Sequence, residues 1–137
     1  LLRQSGLTLA VAEDYTAGLL TATLAELPEN PRFFRGGLTT TDDAARTALG
    51  VDSGIMARCG AASPETARAM AEAIRTLLKA DIGVGVTAVS EPQPGPSTVY
   101  IAIVDDRSNL STIRPRSRRN AVNTALLELR KTLLARD

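Results

Sequence analysis

The chain has 137 residues, 44% of them hydrophobic and 23% charged, which fits one domain with a single packed core and not a disordered segment. It contains no His and one Cys, Cys59, which excludes Ser-His-Asp and Cys-His catalysis, His-ligated metal sites, an internal disulfide and a cysteine-cluster zinc site. Aromatic residues make up 3% with no Trp, so stacking platforms for single-stranded nucleic acid are not expected, and the net charge is +1.

No apolar run approaches the roughly 20 residues of a membrane span, and no signal peptide is visible. With one free thiol, a reducing, cytoplasmic location without membrane contact is the expectation. Residues 1–137 read as a single domain. The chain opens at Leu1 without Met, so further residues are expected before it. Charge is unevenly placed: residues 1–106 hold 8 basic and 13 acidic side chains, residues 107–137 hold 8 and 2. The C-terminal region therefore reads as either anion-facing or a solvated helix face.

The first element is Leu7 to Ala12, short, apolar and alternating, which predicts a strand. It ends in Glu13-Asp14-Tyr15-Thr16-Ala17-Gly18. Leu20, Thr23, Leu24 and Leu27 then recur at helical spacing, stopped by Pro28 and Pro31. Phe33 to Thr41 predicts a second strand through Gly36-Gly37. Asp42 or Asp43 suits the cap of a short helix through Leu49, closed by Gly50. Ser63, Pro64 and Glu65 mark the start of a longer helix. Its apolar stripe is Ala67, Met70, Ala71, Ile74, Leu77 and Leu78. Ile82, Val84 and Val86 alternate with glycines and predict a strand, as does the run Val99 to Val104. Glu91 to Pro96 reads as the loop between them. With no helix separating them, that strand pair is expected to be antiparallel. Leu110 to Ile113 fits an edge strand. Val122, Ala125, Leu126, Leu129 and Leu133 mark one face of a last helix. The alternation of strands and helices predicts an α/β domain with a mixed sheet.

Ligands in open α/β sheets sit beyond the carboxyl ends of strands. The turn from Glu13 to Gly18 lies there and feeds a helix whose first N–H groups could face an anion. An ordinary capped turn, with Asp14 as the N-cap, fits the same residues. Cys59 has no base near it in sequence and reads as a small buried hydrophobe.

Residues Ala10 to Leu20 resemble the family segment A-V-A-E-S-C-T-G-G-L-L. Phe34 to Arg46 resembles F-x-G-G-V-V-T-Y-S-N-E-A-K. Leu49-Gly50-Val51-Asp52, Gly60-Ala61-Ala62-Ser63, Ala67 to Glu72 and Thr98 to Ala102 are similar to L-G-V-D, G-A-V-S, A-R-x-M-A-E and T-V-Y-I-A in the same order. The chain thus resembles the CinA C-terminal domain family, whose single-domain members are the nicotinamide-nucleotide amidohydrolases (PncC). The resemblance implies a three-layer α/β/α fold with a mixed, mostly parallel five-stranded sheet. It implies hydrolysis of the carboxamide of nicotinamide mononucleotide to nicotinate mononucleotide and ammonia, with no metal or cofactor and with homo-oligomers common. The family reaction uses a Ser nucleophile helped by a Tyr and a Lys.

Those family positions are substituted here: Asp14 for Ser, Thr41 for Tyr and Arg46 for Lys. The alignment allows a slip from Arg46 to Ala45, and neither restores Lys. Arg stays protonated and cannot serve as the base that a desolvated Lys provides. An Asp14–Arg46 ion pair, bidentate in its strongest form, fits the two substitutions. A degraded catalytic site with a binding or scaffolding role is the leading expectation. Hydrolysis with substituted groups is the alternative: Thr16 as nucleophile, Tyr15 as proton donor, or Asp14 activating a water. A purely structural, oligomeric role is the third. Catalytic-position candidates are therefore Asp14, Thr16, Thr41 and Arg46. Candidates to contact a nicotinamide-type mononucleotide are Tyr15, Gly18, Gly37 and Thr87, with Arg114 and Arg118 matching two family arginines suited to a phosphate. The run Arg114, Arg116, Arg118 and Arg119 fits a solvated helix entrance or an interface equally well, and nucleic acid is the outside reading.

Overall fold

The computed structural model describes residues 2–88 and 97–136. Five strands form one sheet: β1 (Leu9–Glu13), β2 (Phe34–Thr39), β3 (Ile82–Ala88), β4 (Val99–Val104) and β5 (Ser108–Ile113). Their order is β2-β1-β3-β4-β5. β1 pairs parallel with β2 and β3, whereas β4 runs antiparallel to β3 and β5. Four strands therefore point one way and only β4 is reversed, giving the mixed, mostly parallel five-stranded sheet that the family resemblance implies. The helices are α1 (Leu2–Ser5), α2 (Leu19–Ala25), α3 (Asp43–Leu49), α4 (Ser53–Cys59), α5 (Pro64–Leu77) and α6 (Arg118–Leu134).

Alternation along β1 sorts these helices into two layers. Leu9 and Val11 face Leu20 and Leu24 of α2 and Val122 and Leu129 of α6. Ala10 and Ala12 face Leu49, Met56, Met70 and Ile74 of α3, α4 and α5. With a helix layer on each side, β1 and β3 are buried along their whole length. The α5 layer lies close to β3 because Gly83 and Gly85 carry no side chain. A Cβ at either position would sit 2.1 Å from a backbone oxygen of α5, Ala71 and Ala67 respectively.

The caps follow the sequence. Asp42 accepts from the Ala45 N–H at 2.7 Å and Ser63 from the Thr66 N–H at 3.0 Å. Several expectations need correction. Leu27 lies past the end of α2 and is largely exposed, and Leu77 of the α5 stripe is exposed as well. β2 ends at Thr39 rather than Thr41, and β5 starts at Ser108, two residues before Leu110. α1 and α4 are not foreshadowed by periodicity, because α1 has only four residues and α4 offers just the adjacent Ile55 and Met56 as large apolar side chains. Cys59 ends α4 and is exposed, not buried. The loop Glu91–Pro96 lies outside the described residues. No described helix is long and apolar enough to cross a membrane.

At the end of the sheet away from the β1–α2 turn, Asp105 closes the β4–β5 turn. Its carboxylate accepts from the Arg107 N–H at 2.7 Å and from Arg136. Burial opposes its ionisation, but the Arg107 N–H and the Arg136 guanidinium outweigh that and hold the carboxyl below its ordinary value of 3.8. A carboxyl lowered on folding adds stability above its unfolded pKa, and that stability is lost as pH falls through the folded value. Asp105→Asn is therefore expected to flatten the acid limb of stability against pH, read as the denaturant midpoint; an unchanged limb contradicts this. Gly85→Ala is expected to destabilise the fold by about 1–3 kcal/mol, the usual cost of overpacking, measured by chemical denaturation. A neutral effect would mean that α5 can move away from β3.

Candidate functional site

β1 ends in Glu13 and is followed by Asp14, and the two carboxylates turn to opposite faces of the sheet. Glu13 turns to the α2 layer and is fully buried. Its Oε1 accepts from the Thr16 hydroxyl at 2.5 Å and the N–H groups of Gly18 at 3.1 Å and Leu20 at 3.0 Å. Its Oε2 accepts from the Thr21 N–H at 2.8 Å and the Thr21 hydroxyl at 2.5 Å. The positive end of α2 is thereby matched by a negative charge from the chain itself. This corrects the expectation that these N–H groups stand open to an outside anion. It also corrects Asp14 as N-cap: the N-cap is Gly18, at φ 91°, a left-handed conformation suited to glycine. Gly37 of β2 serves the same arrangement. A Cβ there would lie 2.4 Å from the Thr21 hydroxyl oxygen and displace it from Glu13.

Asp14 turns to the α3 layer. Its Oδ2 meets the Arg46 guanidinium at 2.6 Å and the Thr87 hydroxyl at 2.6 Å. Its Oδ1 accepts from the N–H groups of Tyr15 and, at 3.2 Å, of Ala88. The side chains of Asp14 and Arg46 are 8% and 6% exposed. The expected ion pair is present, but it is not bidentate. The guanidinium forks instead, with its other terminal nitrogen 3.0 Å from the exposed Asp43. The Thr87 hydroxyl also lies 2.9 Å from the Ala61 carbonyl and has one proton to share between the two acceptors. The Arg46 Nε and the buried Thr40 hydroxyl have no partner among the described residues.

Asp14, Arg46 and Thr87 form one neighbourhood that the Tyr15 N–H joins, while the Tyr15 ring packs against the α2–α6 cluster beneath Arg118. The Arg118 Nε donates to the Tyr15 carbonyl at 2.8 Å, and its guanidinium lies 5.3 Å from the centre of the Tyr15 ring, within cation–π range. Thr16 and Gly18 belong to the Glu13 cluster on the opposite face, and Thr16 is 1% exposed. Thr41 is exposed on the turn into α3 and Arg114 is exposed beyond β5. Neither joins the neighbourhood through a side-chain hydrogen bond among the described residues. A groove of about 690 Å³ between α3, α4 and α5 is lined by Cys59, Arg58 and Arg68 among others, and by none of the expected site residues. No cluster of three His, Cys, Asp or Glu side chains suited to a metal occurs among the described residues.

Sequence reasoning passed over Glu13, Thr21, Asp43 and Ala61. Glu13 carried a signal: it continues the Leu9, Val11 alternation, so a strand buried on that face forces its carboxylate inward, where it needs donors. Thr21 sits on the first turn of the next helix, within reach of that carboxylate. Ala61 contributes through its backbone, which no residue type announces.

The CinA C-terminal domain family model matches residues 1–133. A "CinA-like protein" of Frankia casuarinae is 40% identical over 97% of the chain, and one of Citrifermentans bemidjiense is 37% identical over 99%. The chain spans about a third of the length of such curated relatives, 33% and 36% for these two. A solved competence-damaged protein (CinA) superfamily protein from Klebsiella pneumoniae superposes with a TM-score of 0.90 at 27% identity. The match covers 98% of this chain and 91% of that one. A superfamily protein from Enterobacter cloacae gives 0.87 at 28% identity, covering 96% of this chain and 85% of that one.

Glu13→Gln replaces one acceptor oxygen by a donor facing donors. It is expected to cost about 2–3 kcal/mol, as for a buried hydrogen bond to a charged group, measured by denaturant unfolding. A loss below about 0.5 kcal/mol, the scale of ordinary surface changes, would mean that Glu13 is not the acceptor that holds the turn.

Proposed function

The chain belongs to the CinA C-terminal domain family, and on that premise we propose that it binds a nicotinamide-type mononucleotide, or scaffolds a partner, without hydrolysing an amide. One observation carries this reading. At the position where the resemblance puts the family's Ser stands Asp14, with both carboxylate oxygens engaged by Arg46, Thr87 and the N–H groups of Tyr15 and Ala88.

Amide hydrolysis needs a nucleophile and a group that can take its proton. Both oxygens of Asp14 are taken up by a guanidinium and three further donors, which leaves no free lone pair directed at a water in a substrate position. Arg46 holds its protons throughout the physiological range and cannot relay one. Thr16 is buried on the other face, with its hydroxyl directed to Glu13, so a substrate reaching Asp14 would not meet it. The Tyr15 ring packs against the α2–α6 cluster under Arg118, so its hydroxyl is not directed at the Asp14 carboxylate on the α3 face. Arg118 and, farther out, Arg114 supply positive charge suited to a phosphate ester. The reading includes a cytoplasmic location, which fits a chain whose one cysteine is a free thiol, and self-association, which the family resemblance implies.

Purified protein incubated with nicotinamide mononucleotide, beside an Asp14→Ala control, tests it directly. The expected result is no ammonia above the enzyme-free blank. Release that the Asp14→Ala change abolishes would make Asp14 part of a working mechanism. The same nucleotide is expected to raise the melting temperature, because a ligand of the native state stabilises it. An unchanged melting temperature would leave scaffolding as the role.

A further inference from the structure

β5 is the outermost strand on its side of the sheet, and no described strand lies beyond it. Its residues, Ser108 to Ile113, include no charged residue and no proline, two of the devices by which natural edges avoid pairing with another chain. Ser108, Asn109, Leu110 and Thr112 are exposed, Leu110 to 50%. At its C-terminal end the strand runs directly into Arg114, Arg116, Arg118 and Arg119, all exposed. Arg3, Arg46 and Arg136 meet the carboxylates of Glu29, Asp14 and Asp105, whereas these four arginines stand close together in sequence at one end of the strand. Among the described residues no carboxylate is paired with any of the four.

We propose that β5 is a docking edge for an extended, acidic segment of a partner protein. The segment adds to the sheet antiparallel to β5 and places carboxylates at its N-terminal end on Arg114, Arg116 and Arg119. Backbone pairing along the edge supplies the attachment, and the arginines select and orient the acidic end. Antiparallel ladders are the more stable per residue and the more frequent, and they set the N-terminal end of the incoming strand beside Arg114. A second copy of this chain fits poorly, because a symmetric antiparallel β5–β5 pair sets Arg107 of one copy against Arg114 of the other. Nucleic acid fits less well than a peptide, since a free strand edge offers it nothing and the chain has few aromatics for stacking. The proposal does not use the Asp14–Arg46 pair, but it shares Arg114 with the phosphate reading above.

The test is a fluorescence-anisotropy titration of the 137-residue chain with a labelled peptide of consecutive glutamates followed by alternating threonine and valine. The comparison probes are the same peptide with its glutamates moved to the C-terminal end, a neutral version with serines, and a single-stranded thymidine oligonucleotide. Preferred binding of the first peptide is expected, weakened at least about tenfold by an Arg116→Glu, Arg119→Glu double variant and separately by Leu110→Lys. Melting curves confirm that each variant is folded. If Leu110→Lys does not fold, the exposed double variant carries the test alone. Equal binding of the neutral or the reversed peptide, tighter binding of the oligonucleotide, unchanged affinity in the double variant, or no binding of the first peptide each overturns the proposal.

Discussion

Two neighbouring carboxylates taken out of water at the end of β1 set the local structure around them. Burying an ionised carboxylate costs several kcal/mol unless donors replace the lost water. Glu13 meets that condition with the hydroxyls and N–H groups of the β1–α2 turn, Asp14 with Arg46, Thr87 and two backbone N–H groups. Because adjacent strand residues face opposite ways, the two demands fall on different helix layers. One fixes where α2 begins, and the other fixes how α3 approaches the sheet.

Smaller features follow from these two. Gly37 carries no side chain where Thr21 must reach Glu13. Gly18 takes a left-handed conformation so that the chain can turn its N–H back on the same carboxylate. Arg46 extends from α3 to the sheet and divides its guanidinium between Asp14 inside and Asp43 at the surface. A buried ion pair of this kind is weak evidence for extra stability, since desolvation offsets most of the attraction. Its consequence is chemical. A position that resembles the nucleophile site of an amidohydrolase is filled by a charge whose partners are already in place.

Much of this was legible in the sequence. Capping residues Asp42 and Ser63 announced α3 and α5, and uninterrupted or glycine-spaced apolar runs announced β3 and β4. The resemblance to the CinA C-terminal domain family supplied the layer order, which periodicity alone does not determine. The Asp14–Arg46 pair was visible because both family positions change to opposite charges. The fork to Asp43 was not, since it depends on the direction in which α3 presents its first turn. Glu13 was overlooked because an acidic residue at a strand end looks like part of a solvated loop; only its place in the β1 alternation betrays burial. α4 and the exposure of Cys59 had no periodic signal, as a seven-residue helix is held by its neighbours rather than by its own pattern.

The central claim is that Asp14 and Arg46 act as one closed unit inside the protein. A double-mutant cycle on unfolding free energy, using Asp14→Ala, Arg46→Ala and the pair together, measures that coupling without reference to any ligand. The expected result is a coupling of about 1–3 kcal/mol, within the range for residues in contact, with each single change costing up to about 3 kcal/mol, because Asp43 and the Thr87, Tyr15 and Ala88 donors stay with the remaining partner. Additive effects, with a coupling below about 0.5 kcal/mol, would mean that the two groups are independent in solution. Asp14 would then be open to chemistry after all.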